Sequence, residues 1–199
     1  MLPPPKRFAP KRYNSAMNVR TLAAALLLVP SVLFAQAAPA KTATPSQNGK
    51  GFRPEFIADL DEVQEKITKL AAAVPAEKYA WRPSEGVRSI SEVYTHIAGA
   101  NYFLATFVNV QPPSTMPKDI EKITDKKLVL AELQKSFDHL RMVIKNTPDA
   151  DFDKQVMLFG KPTTERAVFA TILNHLHEHL GQSIAYARMN GVVPPWSGN

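Results

Sequence analysis

Four stretches of this chain repeat apolar residues at spacings of three and four, and each is closed by proline, glycine or a polar link. That period is the period of a helix with one buried face, and it leaves little room for any other fold class. The first stripe is Phe56, Leu60, Val63, Ile67, Leu70 and Val74, between Pro54 and Pro75. The second is Ile90, Val93, Ile97, Ala100, Leu104 and Phe107 or Val108. Ser89 opens it with Glu92 three residues on, the pattern of a capping box. The third, over about Asp125–Asn146, carries Leu133, Phe137, Leu140 and Ile144. The fourth is capped by Thr163 or Thr164 and carries Val168, Ile172, His175 or Leu176, His179, Ser183 and Tyr186 or Ala187 before Gly191 stops it. Four such helices predict an all-α four-helix bundle. The residues show no alternating strand pattern and no internal repeat. The link over residues 110–124, with Pro112, Pro113 and Pro117, is long enough to cross the bundle, and periodicity alone leaves the topology open.

The fourth helix also carries chemistry. His175 and His179 are four apart and project from one face, a spacing at which two imidazoles can share one divalent metal. His177 points roughly 200° away from His175. A third ligand has to come from elsewhere. His96 borders the inner stripe of helix two, beside the small residues Gly99 and Ala100. His139 lies roughly 200° round from Phe137 and reads as a solvated surface residue. Burying unpaired imidazoles costs about 1–3 kcal/mol each, so three on inner stripes need partners. One metal held by His96, His175 and His179 would supply them; core histidines bonded to backbone and neighbours are the alternative. Three neutral histidines with an open position suit Zn²⁺ first, and Ni²⁺ or Fe²⁺ with added waters. His177-Glu178-His179 is not the zinc-protease pattern, because Gly181 stands where its second histidine belongs. Gln182, three beyond His179, is placed to hydrogen-bond a ligand imidazole from behind. Trp81 is expected over one end of the bundle, and Tyr186 in its core.

Charge points away from nucleic acid. The net charge of +6 is concentrated in residues 1–37, which hold Lys6, Arg7, Lys11, Arg12 and Arg20 and no acid. Without those five, 19 of the 24 basic residues remain against 18 acidic ones, so the body has no basic footprint. From Met17, a second candidate start, the leader has a charged opening, an apolar run over Leu22–Phe34 and Ala35-Gln36-Ala37, the form of a secretory signal cleaved after Ala37. Interrupted by Pro30, the run is too short for a comfortable membrane span. The expectation is an exported protein, periplasmic or secreted, whose only membrane contact is through the signal. Residues 38–52 read as a flexible linker and 53–196 as the folded domain. The chain has no cysteine, hence no disulfide, thiolate nucleophile or thiolate ligand.

Three ordered pieces carry a family resemblance. Trp81-Arg82-Pro83, Ser89 and His96-Ile97-Ala98 form an entry into helix two. His175-x₃-His179-Leu180-Gly181-Gln182 marks helix four. Tyr186-Ala187-Arg188-Met189-Asn190-Gly191 with Val193-Pro194-Pro195 closes the domain. Together they resemble the DinB-like (DinB/YfiT) superfamily of metal-binding helical bundles over about residues 53–196. The resemblance implies an up-down-down-up bundle with a divalent metal on His96, His175 and His179. It also implies kinship with thiol-dependent S-transferases and isomerases that use mycothiol or bacillithiol. An export signal departs from those cytosolic relatives, and an oxidising compartment is poor in reduced thiols.

Three functional readings follow: a metal-dependent enzyme acting on a small-molecule or thiol substrate, a non-catalytic metal- or ligand-binding module, and a structural bundle forming a homodimer through an exposed stripe. No residue outside the triad dictates a reaction type.

Overall fold

The computed structural model describes residues 51–197. The expected leader, residues 1–37, and nearly all of the expected linker lie outside the described residues. Four long helices make up most of the rest: α1 Phe52–Ala73, α2 Ile90–Ala105, α3 Lys126–Asn146 and α4 Glu165–Met189. Ser89 caps α2 through the reciprocal box with Glu92, Asp125 caps α3 by accepting from the Leu128 N–H, and Thr164 caps α4 by accepting from the Ala167 N–H. Gly191 follows α4 with φ +75°, a left-handed conformation that glycine adopts without strain. No helix of the described residues is long and apolar enough to cross a membrane.

Helix directions are fixed by contacts at both ends of the bundle. Arg53 at the start of α1 donates to the carbonyls of Ile144 and Thr147 at the end of α3. At the other end, Lys126 at the start of α3 donates to the carbonyls of Ala72 and Val74, 2.7 Å each. These cations meet the unpaired carbonyls of helix C-termini, where the helix dipole favours positive charge. α1 and α3 are therefore antiparallel. Phe56 meets Phe169 edge-on with ring centroids 5.2 Å apart, near the starts of α1 and α4. Val74, Ile90, Tyr94, Tyr186 and Ala187 line one small gap at the far end. α4 therefore runs parallel to α1 and antiparallel to α2. Between α2 and α3, Asn101 Nδ2 donates to Ser136 Oγ at 3.0 Å, and Tyr102 packs on His139 one turn later, so these two helices are parallel. The order is up-down-down-up. Two consecutive parallel helices require a link that travels back along the bundle, and residues 106–125 do this.

The stripes close the core as expected: Leu60, Ile67, Leu70, Ile97, Leu133, Phe137, Leu140, Ile172 and Leu176 are buried. Two expectations are corrected. His139 is buried rather than solvated, because α2 lies parallel against α3 and covers that side with Tyr102. A two-stranded antiparallel hairpin also exists, β1 Gln155–Leu158 and β2 Lys161–Thr164. Its turn residues Phe159 and Gly160 both have positive φ, +50° and +77°, the two-residue form that matches strand twist. Its strands are four residues each and only half-covered on one face, so they lack the apolar alternation that would announce them.

Candidate metal centre

The three sequence-predicted ligands come together. His96 sits in the second turn of α2, and antiparallel α4 brings His175 and His179 across from it. One ring nitrogen from each lies within 4.8 Å of the other two. His96 Nε2 and His175 Nε2 are 3.3 Å apart. Two ligands of a tetrahedral ion at 2.0–2.1 Å stand roughly 3.3 Å apart, so this pair already has the spacing such an ion needs. Leu176 and Leu180, buried on the neighbouring stripe, anchor this length of α4.

The outer nitrogens determine which atoms face inward. His96 Nδ1 is 2.9 Å from Glu121 Oε1. A carboxylate only accepts, so His96 carries a proton on Nδ1, and the neutral ring then has its lone pair at Nε2. His179 Nδ1 donates to Gln182 Oε1 at 2.8 Å, which leaves its Nε2 as a second lone pair. Gln182 is oriented in turn by donating from Nε2 to Tyr186 Oη at 3.1 Å, and Trp81 packs edge-on over the Tyr186 ring at 5.4 Å. Gln182 therefore lies behind the His179 imidazole, with Tyr186 and Trp81 supporting it. Such outer bonds fix the tautomer and orientation of a metal-binding histidine.

The electrostatics favour the neutral form of His175 and His179. Burial pushes His175 down to about 4, with further lowering from the charges of His179, His96 and Arg88. Burial also lowers His179, partly opposed by its bond to Gln182. Neutral imidazole is the ligating form. Two inward lone pairs face His175, whose single proton can serve only one of them, and His175 Nδ1 is buried without a partner. A divalent cation satisfies all three inward nitrogens at once, so this donor set fits one.

Glu121 and Arg88 escaped sequence reasoning. Glu121 sits on a three-residue turn, Ile120–Lys122, within the crossing link. That turn approaches α2 at Gly99, where a side-chain methyl would stand 3.4 Å from Ile120 Cγ2. Nothing in the local pattern pairs Glu121 with a histidine 25 residues earlier. Arg88 precedes the α2 cap, and its charge reaches both His175 and His179. His177 faces out, as expected, donating to the Leu173 carbonyl at 2.8 Å. Asn101, five residues after His96, lies at the α2–α3 interface.

Residues 59–183, well over half of the chain, match the family model of the DinB superfamily. The chain belongs to the DinB superfamily. Solved structures share the fold. A DinB-like protein from Bacillus cereus is 19% identical, covers 70% of this chain and 93% of its own, and superposes with a TM-score of 0.63. YfiT from Bacillus subtilis, described as a probable metal-dependent hydrolase with an unusual four-helix bundle topology, is 18% identical. It covers 75% of this chain and 94% of its own, at a TM-score of 0.56. A DinB-like protein from Bacillus subtilis, YjoA, gives 0.56 at 15% identity, covering 69% and 92%. A comparison with curated proteins finds no match. Within this DinB-superfamily domain the three histidines lie on α2 and α4, inside the matched residues.

Proposed function

We propose that this DinB-superfamily protein binds one divalent metal ion, Zn²⁺ in the first instance, through His96, His175 and His179, and acts outside the cytoplasm as a metal-dependent hydrolase. The observation that carries the reading is the convergence of three ring nitrogens with two outer nitrogens already committed to Glu121 and Gln182. The description of YfiT as a probable metal-dependent hydrolase supports the same class. An ion held by three neutral histidines keeps a position for a fourth ligand and lowers the pKa of a water or thiol that enters it.

The protein's own residues then have distinct tasks. Glu121 and Gln182 hold two ligand rings in one tautomer. Arg88, exposed and without an ion-pair partner among the described residues, places a fixed positive charge beside His175 and His179. The export reading rests on the leader, Met17–Ala37.

The test is metal content of the chain purified without a histidine tag, beside His175→Ala. About one equivalent of Zn²⁺, Ni²⁺ or Fe²⁺, lost in the variant, supports the site and opens a screen of ester, amide and thiol-dependent substrates. No bound metal, and none taken up on titration, refutes it.

A further inference from the structure

Glu165, the first residue of α4, carries a carboxylate whose side chain is only 5% exposed. A carboxyl group in that position needs donors. Among the described residues no N–H or O–H donates to it. Lys154 Nζ stands 3.9 Å from Oε1, beyond hydrogen-bond reach, on a side chain that is half exposed. Glu165 lines a solvent-connected cleft of 270 Å³ between the ends of α2 and α3 and the start of α4. Its lining combines apolar Val108, Val110, Met142 and Val143 with polar Asn146, Asp151 and Lys154 beside Glu165. Along α4, Glu165 is ten residues from His175, or about 15 Å of helix rise, so this cleft is separate from the histidine centre.

We propose that this cleft is a second binding site, for a small amphiphilic amine whose ammonium group binds Glu165 and whose hydrocarbon part lies on the apolar lining residues. An ammonium brings three donors to a buried carboxylate that no N–H or O–H of the described residues reaches, and a closer positive charge than Lys154 at 3.9 Å. The make-up of the cleft, an apolar surface with a few convergent polar groups, is that of small-molecule sites in general. A bare divalent ion would leave the apolar lining unused. An anion would face two carboxylates, Glu165 and Asp151, against one lysine. Burial pushes the Glu165 carboxyl upward, Lys154 draws it down and Asp151 raises it again, so the resident lysine only partly offsets the two acids.

The probe is n-hexylammonium, titrated into the full chain and followed by calorimetry. Chelator is present and the runs are repeated in His175→Ala, so that amine coordination at the histidine centre is excluded. The neutral n-hexanol is expected to bind roughly tenfold or more weaker, the worth of a charged hydrogen bond. Glu165→Gln should weaken hexylammonium binding by a similar factor with its circular dichroism unchanged. Lys154→Met should tighten binding, because it removes the competing resident cation. That variant alters an exposed side chain and keeps the test available if Glu165→Gln does not fold. Equal binding of hexanol, unchanged affinity in Glu165→Gln, or no tightening in Lys154→Met would each overturn the proposal. So would binding of Ca²⁺, titrated into His175→Ala with the chelator omitted, without binding of the amine, which would make the cleft an inorganic cation site.

Discussion

Gln182 and Glu121 each hold one histidine from behind, yet replacing them should have different consequences, because one bond is covered and the other is wet. His179 is 8% exposed, and Gln182 Oε1 is the acceptor for its Nδ1–H. Gln182→Leu leaves that donor, and the Tyr186 hydroxyl beyond it, without a partner. An unsatisfied buried donor costs about 1–3 kcal/mol. At roughly 3 °C per kcal/mol for a domain of this size, the metal-free protein should melt about 3–9 °C lower. The Glu121 side chain is 52% exposed, so water replaces its bond to His96 when Glu121→Ala removes the carboxylate. Such a surface change stays within about 0.5 kcal/mol of the parent. Both variants should bind Zn²⁺ roughly 10–100-fold more weakly, the usual effect of losing an outer partner of a ligand imidazole. Glu121→Ala belongs toward the lower end because solvent substitutes for the carboxylate. Melting followed by circular dichroism with chelator, and Zn²⁺ affinity by competition with a chelating dye, separate the two effects. Wild-type Zn²⁺ affinity in Glu121→Ala, or an unchanged melting temperature in Gln182→Leu, would refute the reasoning.

Three further outcomes are expected. His139 Nε2 is buried with no partner and its pKa is lowered by burial, so His139→Phe should raise stability by about 1 kcal/mol or more in urea titration. The gain should widen as pH falls below 6.5, where the unfolded parent takes up a proton that the folded one resists. By the same sign, the depressed His175 should make the metal-free protein lose stability as pH drops from 6.5 toward about 4 and then level off, and Zn²⁺ affinity should fall over the same window. A pH series of melting curves and Zn²⁺ titrations checks both trends. Phe159→Asn should stabilise by up to about 1 kcal/mol in thermal melts, because asparagine tolerates a φ of +50° better than phenylalanine and Phe159 is 61% exposed.

Much of the bundle was legible because a helix is written in near neighbours. Ser89 and Glu92 announce the start of α2 three residues apart, and both bonds of the box form. The stripe of α1 reads directly as its buried face, from Phe56 to Leu70. The hairpin was not legible. Its turn carries phenylalanine where asparagine or aspartate is the usual signal, and its strands bury too little to show a period. His139 was misplaced by the same logic that succeeded elsewhere. A single apolar stripe defines one buried face, whereas α3 packs against α1 on one side and α2 on another.

The histidine centre divides along that line. Four-residue spacing put His175 and His179 on one face before any fold was known, since the rise and twist of a helix fix where such side chains project. Whether His96 would meet them depended on α2 running antiparallel to α4. That in turn depended on a link long enough to return α3 parallel to α2. The same link delivers Glu121 to His96, a bond across 25 residues that no periodicity encodes. The sequence by itself determined the helices, their caps and the histidine pair on α4, because those follow from interactions within a few residues. Only the tertiary structure decided the third histidine's position, the acceptors behind the rings and the burial that keeps His175 neutral. Those depend on which helix faces are brought together across the bundle.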